Sequence, residues 1–441
     1  MADTRGSWTG ALPSALSGLT VRGRAFLAAG AATAACSVVL GQRDLLRIAA
    51  LLLLVPVVSV LVVARSRYRM QLSRTLSPAR VSAGQSASVR LELSNLSRVP
   101  TGVLLAEEQL PYVLGARPRF VVDRLDPHGR GAVTYSLRSD VRGRWEVGPV
   151  RLRLTDPFGM CEVTRSFTAT DPLTVVPKVH PLASFNAAGS WRGSGDSVTR
   201  TAAASGEHDL ATREYRHGDD LRRVHWRSTA RRGELMVRRD EQPHQMQATV
   251  LVDRRAVGHR GEGPASSFEW AVSAAASVCH LLVQAGYGVR MISDDLETGW
   301  TGREHTGGVG PLLDRLAVMD LGGPSELAAA TGLLTRAGGD GLVVAVLGEV
   351  GTADVHPLAA LSRQGTVGVA LVLATTSWAM LPPRRAGQVD AAREEALAQL
   401  EAGGWNAVEV DARTGVTAAW DGLVARRQAG RGSSTHAGSW R

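Results

Sequence analysis

The chain has 441 residues, enough for two or three domains, and its hydrophobic content of 44% is sufficient for a sizeable core. The formal net charge is +9, but Lys178 is the only lysine and the arginines are spread along the chain. This dispersion argues against a nucleic-acid-binding surface, which needs clustered basic residues. The three cysteines, Cys36, Cys161 and Cys279, lie far apart, so they predict neither a disulfide framework nor a metal site and suit a reducing compartment.

Two apolar segments near the N-terminus predict a transmembrane helix hairpin over residues 22–75, after a mobile N-terminus at residues 1–21. The uncharged runs Ala25–Gly41 and Ile48–Ala64 are each 17 residues long. A cleaved signal peptide would leave the second run unexplained, and two helices buried in a soluble domain are the other alternative. Arginines cluster before the first run and after the second, so we expect a two-pass protein of the cell membrane with both termini in the cytoplasm.

Residues 76–180 predict a small all-β sandwich. Short alternating runs such as Ser86–Leu93 are separated by turn sequences, including Asp-Pro-Phe-Gly at residues 156–159. Cys161 beside that turn is expected to be a packing residue. Residues 181–205, rich in Ala, Gly, Ser and Thr, predict a flexible connector.

Residues 247–426 predict a doubly wound α/β domain, and residues 427–441 a disordered tail. Near-continuous apolar strands alternate with helices, which is typical of a parallel sheet covered by helices, with any site at the strand C-terminal ends. The strands are predicted at Ala248–Val252, Gly288–Ile292, Gly341–Leu347, Gly368–Ala374 and Ala407–Val410, and the helices at Phe268–Gln284, Gly310–Val318, Pro357–Arg363, Asp390–Ala402 and Val416–Arg426.

A charged stretch at residues 206–246 separates the two soluble domains. Between residues 213 and 241 it contains nine arginines and six acidic residues. Gly218 permits a tight turn, after which an acidic side chain can cap a short helix that begins near Leu221. Trp226 is expected to be half-buried, with a partner for its indole N–H.

Three interpretations of this stretch remain open. It can be a structural clasp between the α/β domain and the β module, built from ion pairs between its arginines and acids. It can be a recognition surface for a partner protein. It can also be a catalytic site of a hydrolase type that uses His225 with Asp219 or Asp220, although a lone histidine more often only satisfies hydrogen bonds.

The stretch resembles the bacterial family named for domain of unknown function 58. The matching residues are Arg213, Glu214, Tyr215, Gly218, Asp219, Asp220, Arg222, His225, Trp226, Ala230, Arg231 and Leu235. The paired N-terminal spans, the run Arg142–Trp145 with Gly148 and Pro149, and the turn at 156–159 are also similar to that family. The resemblance covers residues 20–427. It implies a membrane-anchored protein with a von Willebrand factor type A-like C-terminal domain, often encoded beside MoxR-type AAA+ ATPases and transglutaminase-like membrane proteins.

The resemblance raises the question of a metal, because von Willebrand type A domains commonly bind Mg²⁺ through Asp-x-Ser-x-Ser after the first strand. Here Asp253 is retained, but Arg255 and Val257 stand at the two serine positions. Two hydroxyl ligands are lost and cationic side chains are gained, so the metal site is degenerate. We expect no metal or other cofactor, and an internal ion pair of Asp253 with Arg254 or Arg255.

Together these features predict a non-enzymatic, membrane-anchored interaction or assembly protein that works with a MoxR-type AAA+ ATPase and other membrane proteins, and not with nucleic acid. The alternatives are the hydrolase and a basic surface that faces lipid or nucleic acid. The candidate interaction residues are those of the family signature: Arg213, Tyr215, Gly218, Asp219, Asp220, Arg222, His225, Trp226 and Arg231.

Overall fold

The computed structural model of the protein describes residues 18–65, 70–98, 100–155, 158–184, 212–215, 224, 226–238, 247–293, 297–301, 308–324, 326–336, 341–362 and 366–434. The chain divides into two compact units, Met1–Val176 and Pro177–Arg441.

The first unit begins with a hairpin of two apolar helices, α1 at Val21–Leu40 and α2 at Arg43–Arg65. The N–H of Gly23 donates to the Thr20 hydroxyl at 3.2 Å, which caps the start of α1. The two helices pack closely because small residues lie between them: a Cβ atom on Gly30 would lie 2.8 Å from the Leu53 side chain. By length and composition both helices are able to cross a bilayer.

Large apolar side chains cover the outside of this hairpin. Its exposed residues include Val38, Val39, Leu40, Leu46, Ile48, Leu51, Leu54, Val57, Val58 and Leu61. Such a continuous exposed apolar surface is unusual in a water-soluble domain.

The rest of the first unit is all β. Its strands are β1 Met70–Ser77, β2 Arg80–Ser82, β3 Ser86–Asn95, β4 Leu104–Glu108, β5 Arg119–Val122, β6 Arg130–Arg138, β7 Gly143–Val147, β8 Val150–Thr155, β9 Glu162–Phe167 and β10 Asp171–Val176. They form three sheets with the orders β1-β3-β6, β2-β10-β7 and β5-β4-β8-β9. Alternate residues of β3 and β8 are buried, as expected for strands that turn one face to an apolar core.

Three of these strands, β1, β2 and β9, are absent from the sequence prediction. The sequence does not reveal β1 because Arg74, a charged residue, occupies a buried position of this strand. The Arg74 guanidinium forms an ion pair with Glu108 at 2.7 Å and with Asp171 at 2.7 Å. The Tyr135 hydroxyl donates to the same Glu108 carboxylate. The buried guanidinium and its acidic partners thus take the place of an apolar side chain. The alternating hydrophobic pattern that predicts a strand is therefore interrupted at Arg74.

The second unit contains an α/β domain with a six-stranded sheet. Its strands are β13 Gln247–Val252, β14 Gly288–Ile292, β15 Glu297–Thr301, β16 Leu342–Leu347, β17 Val367–Leu373 and β18 Asn406–Val410; its helices are α4 Ser267–Gln284, α5 Gly310–Ala317, α6 Glu326–Arg336, α7 Thr352–Leu361, α8 Pro383–Ala402 and α9 Val416–Ser434. The order is β15-β14-β13-β16-β17-β18, and every pair is parallel except β14 with β15.

The five predicted strands and the parallel α/β sheet are confirmed. Sequence reasoning missed β15 and α6. Helices α7 and α8 begin several residues earlier than predicted, and α9 continues to Ser434, past the boundary drawn for a disordered tail at residue 427. Helices α6, α7 and α8 pack on the sheet through one apolar core that includes Leu251, Leu327, Leu358 and Leu400.

Candidate functional site

The charged stretch contains a small antiparallel hairpin, which we call the motif hairpin and which comprises the described residues 212–215, 224 and 226–238. Strand β11, Thr212–Glu214, pairs with β12, Met236–Arg238, and the short helix α3, Trp226–Arg232, precedes β12. Arg213 stands opposite Val237 in this pairing.

Local hydrogen bonds hold the hairpin together. Gly233 directly follows helix α3; its N–H donates to the Thr229 carbonyl at 2.9 Å, and its φ of 77° suits glycine. The Met236 N–H donates to the Thr229 hydroxyl at 3.0 Å, and the Tyr215 N–H donates to the Leu235 carbonyl at 2.8 Å. These contacts fix the return of the chain from α3 into β12.

The structure corrects one expectation about the motif. Trp226 is not half-buried: 71% of its surface is exposed. The buried apolar side chains of the hairpin are instead Val224, Met236 and Val237. The core of the hairpin is small and is filled by these three side chains. Trp226, the first residue of α3, therefore lies on the surface.

The other signature residues divide into two groups. Tyr215 is half-buried and Arg231 is exposed. Gly218, Asp219, Asp220, Arg222 and His225 lie outside the described residues, as does the helix start expected near Leu221. The clasp, the ion-pair network and the catalytic use of His225 therefore stay predictions.

A second candidate site lies at the C-terminal ends of the parallel strands. Asp253 follows β13, and Gly348 and Glu349 follow the neighbouring β16. The next strand in sequence, β14, lies on one side of β13 in the sheet, and β16 lies on the other side. The order of the strands therefore reverses between β13 and β16. Such a topological switch point is where open α/β sheets bind ligands.

A buried ion pair between Asp253 and Arg255 fills this switch point. The Arg255 Nε and Nη2 atoms each lie 3.0 Å from a different carboxylate oxygen of Asp253. The Gly348 N–H also donates to Asp253, at 3.2 Å. The expected internal pair is thus confirmed for Arg255, whereas Arg254 donates from Nε to the Asp320 carbonyl at 3.1 Å. The bidentate geometry is the strong form of this interaction.

Further acceptors surround the same guanidinium. Arg255 Nη1 donates to Asp354 at 2.9 Å, and Nη2 donates to the Glu349 carbonyl at 3.0 Å. Burial by itself would lower the pKa of Arg255, but the hydrogen bonds and negative charges of Asp253 and Asp354 outweigh it and raise that pKa overall. Arg255 is therefore a fixed, permanently charged group.

His259 supports the loop that follows Asp253 and has no free ring nitrogen. Its Nε2 lies 2.7 Å from the Asp253 carbonyl and its Nδ1 lies 3.2 Å from the Ser267 hydroxyl. Burial lowers the pKa of His259, assisted by the nearby charges of Arg255 and Arg260 and opposed by Asp253. A neutral imidazole with both ring nitrogens hydrogen-bonded is suited to positioning the loop and not to proton transfer.

This arrangement does not fit a divalent cation. Both oxygens of Asp253 already accept hydrogen bonds from Arg255, and the guanidinium charge stands beside the carboxylate. Within the described parts of the chain, no three His, Cys, Asp or Glu side chains come together as a metal site. The switch point thus contains a resident cation of its own.

Sequence reasoning missed the outer members of this site: Glu349, Asp354, His259 and Arg260. Asp354 had a local signal, since it stands in the first turn of α7 and accepts from the Gly351 N–H at 3.0 Å. Its pairing with Arg255, 99 residues earlier, had none. Arg260 pairs with Glu349 at 2.6 Å across a similar sequence separation.

The fold and these sites define a class of protein: two candidate membrane helices, a β module, and an α/β domain with a parallel sheet whose switch point is closed by an internal ion pair. Residues 211–392 match the family model described as "Protein of unknown function DUF58". This region therefore matches the family that the motif residues predicted.

One relative is the "Uncharacterized protein YeaD" of Bacillus subtilis, which is 26% identical over 231 residues. The match spans 51% of this chain and 55% of the relative, so about half of each protein is compared.

Two solved structures are similar to about a quarter of this chain. The CARDB domain of a Pyrococcus furiosus protein is 15% identical over 24% of this chain and 93% of its own, with a TM-score of 0.19. The seventh PapD-like domain of human CEP192 is 12% identical over 23% of this chain and 83% of its own, with a TM-score of 0.16. Scores this low carry no argument about fold or function.

Proposed function

We propose that this protein is a membrane-anchored interaction or assembly protein whose two soluble parts lie on the cytoplasmic face. The exposed apolar surface of the α1–α2 hairpin supports the anchor, because lipid is the environment in which such side chains are stable. The short connection at residues 41–42 requires the two helices to run antiparallel. Arginines in the first turn of α1, and at the end of α2 and just after it, favour cytoplasmic termini.

The α/β domain is proposed to be of the von Willebrand factor type A kind, in a form that does not use a metal. Asp253 follows the first strand of the sheet, at the place of the acidic residue in the Asp-x-Ser-x-Ser pattern. Arg255 at the first serine position supplies the cationic charge instead. A permanently paired guanidinium offers no nucleophile and no acid or base, which supports binding rather than catalysis.

The observation that carries the proposal is the exposure of Trp226 on the motif hairpin. Tryptophan is the side chain most enriched among the residues that dominate protein–protein binding, and 71% of this one is exposed. The family resemblance suggests a MoxR-type AAA+ ATPase as the partner. Trp226 would then enter a pocket of that protein, with the exposed Arg231 on the same short helix at the rim of the contact.

The test is a pull-down from native membranes with the full chain, comparing wild type, Trp226→Ala and Arg222→Ala. Tyr112→Ala is the matched control, since Tyr112 is an aromatic residue of the first unit that is 91% exposed. We expect Trp226→Ala to weaken partner capture by about tenfold or more, as for a residue worth at least ~1.4 kcal/mol. The control should retain it. A folded Trp226→Ala protein that retains every partner would overturn the proposal.

A further inference from the structure

We propose that the segment 158–161, which leads into β9, is a second contact with the membrane and that Phe158 inserts into the lipid interface of the bilayer. This inference rests on the proposed membrane anchoring of the α1–α2 hairpin and adds a site in the β module to it.

The segment is bonded directly to the start of α1. The Thr20 hydroxyl donates to the Gly159 carbonyl at 2.6 Å, and the Thr20 N–H donates to the Met160 carbonyl at 3.0 Å. The Glu162 N–H donates to the Gly18 carbonyl at 2.7 Å. The chain just before α1 therefore lies as an extended partner of the segment, and the β module is held against the helix rather than joined to it only by a linker.

The same segment also touches the other helix. Val60, near the end of α2, forms an apolar cluster with the fully buried Cys161, against which Leu19 and Val163 pack. Close packing continues at Gly23, where a Cβ atom would lie only 2.4 Å from the Met160 carbonyl oxygen. One end of the hairpin is thus fixed to the segment by both helices.

The length of α1 sets the depth of these contacts. Its 20 residues span about 30 Å at ~1.5 Å per residue, which equals the thickness of the hydrocarbon core of a bilayer. If α1 crosses the bilayer with its uncharged part, from Ala25 onward, in the hydrocarbon core, Arg22, Arg24 and Thr20 lie at the boundary between the headgroups and the acyl chains. Residues bonded to Thr20 lie at that boundary too.

The side chains at this level have the chemistry of a lipid interface. Phe158 exposes 60% of its surface beside these contacts. The Arg22 guanidinium reaches the same place, since its Nη1 would lie 3.7 Å from a Cβ atom on Gly159. A phenyl ring is stabilised at the acyl boundary, while an arginine beside it pairs with lipid phosphates. We therefore assign the partner of this surface as an anionic bilayer.

The experiment measures depth with a fluorophore on the full chain. In a Cys36→Ala background, Phe158→Cys is labelled with nitrobenzoxadiazole and the protein is reconstituted in phosphatidylglycerol–phosphatidylcholine vesicles with brominated acyl chains. The remaining thiols are protected: Cys161 is buried, and burial raises the pKa of Cys279 to about 12. The Cys36→Ala protein without a new cysteine reports the residual labelling.

Tyr112→Cys in the same background is the matched control. Because β4 runs antiparallel to β8, with Glu108 opposite Val150, Tyr112 lies beyond the end of β8 that is remote from Phe158. We expect at least twofold stronger quenching by brominated lipid at position 158 than at position 112. Equal quenching at the two positions would overturn the proposal.

The native Cys36, exposed on α1, separates this inference from the proposal beneath it. A label on Cys36 that brominated lipid does not quench contradicts the membrane anchor itself. Quenching at Cys36 without quenching at position 158 contradicts only the second contact. The unmodified chain gives an independent readout: photoactivatable diazirine lipids should crosslink to the peptide that contains Phe158 and not to the one that contains Tyr112.

Discussion

Individual buried charges decide the character of the α/β domain. The carboxylate of Asp253 stands where this class of sheet binds ligands, but Arg255 occupies both of its oxygens. A guanidinium two residues away in sequence is always present and cannot dissociate, unlike a metal ion. The switch point is therefore stable without a ligand, and its role is to hold the ends of β13 and β16 and the start of α7 together.

Removing Arg255 should be costly. Arg255→Ala leaves Asp253 buried without its cation, so we expect a loss of about 3–5 kcal/mol in the stability of the α/β domain. Arg254→Ala is the matched control and should lose less than ~1.5 kcal/mol, since its partly exposed side chain donates to a neutral carbonyl, that of Asp320. Hydrogen exchange of the β13 amides in the full chain measures both. Equal exchange in the two variants would contradict the ion pair as the main support.

Titration with divalent metal tests the same site from the other side. Calorimetry of the full chain with Mg²⁺ or Mn²⁺ should give no saturable binding at Asp253, because both oxygens are already paired. Saturable binding that is lost in Asp253→Ala would show that a metal displaces the guanidinium.

The buried His259 predicts a loss of stability in acid. Its folded-state pKa is lowered from the ordinary value, so the unfolded chain takes up a proton that the folded chain does not. Stability should therefore decrease as the pH falls below about 6.5, by at most ~1.4 kcal/mol per pH unit from this group. His259→Gln should remove that part of the dependence, whereas the exposed His356→Gln should keep it. Unfolding midpoints between pH 5 and pH 8 provide the measurement.

At the level of strands and helices, several motif residues have a packing role. The run Arg142–Trp145 leads into β7, and Gly148 lies in the link from β7 to β8. Gly143 has a φ of 153° and lies so close to the Trp145 indole that a Cβ atom would be 2.7 Å from it. Gly148 has a φ of 111°, and a Cβ atom there would be 2.7 Å from the buried Arg74 guanidinium. These glycines allow close approach in the β module.

Alanine substitutions at two glycines of the α/β domain should change its stability in opposite directions. A Cβ atom on Gly368 in β17 would lie 2.1 Å from the ring of the buried Trp405, so Gly368→Ala should destabilise the domain by about 1–3 kcal/mol or more. Gly387 lies exposed in α8 with no atom within 4 Å of a Cβ position, so Gly387→Ala should stabilise it by about 0.5–1 kcal/mol. Denaturant midpoints compare the two. A destabilising Gly387→Ala would contradict an exposed, regular α8 at that position.

For the whole protein, the distribution of arginines around the hairpin predicts its orientation. Cysteine tags at the N- and C-termini should both react with a maleimide from the cytoplasmic side of the membrane. A thiol introduced by Gln42→Cys, in the connection between α1 and α2, should react from the opposite side. The native Cys36 requires replacement by alanine in all of these proteins. Labelling of intact cells with an impermeant maleimide checks this, and reaction of the termini from outside would reverse the proposed topology.

The parts of the fold that follow from local patterns were predictable. The apolar runs of the hairpin and the strands β13, β14, β16, β17 and β18 are continuous apolar segments, so neighbouring residues suffice to reveal them. The pair of Asp253 and Arg255 was also accessible, since its members lie two positions apart. The edge strand β15 was missed because Trp300 is the sole large apolar residue in its sequence, whereas α6 was missed although Leu327, Ala330 and Leu334 pack in the core.

Amino-acid order alone identifies the apolar helices, the parallel sheet and the family motif, since each depends on residues close together in the chain. Only the folded structure shows that Asp354 completes the Arg255 site and that Arg74 is buried beside Glu108. It also shows that Trp226 faces outward and that Thr20 bonds to Gly159. Burial and pairing depend on atoms that folding brings together from distant positions. An ion pair between residues 99 positions apart does not alter the hydrophobic pattern of either segment, so the sequence does not predict it.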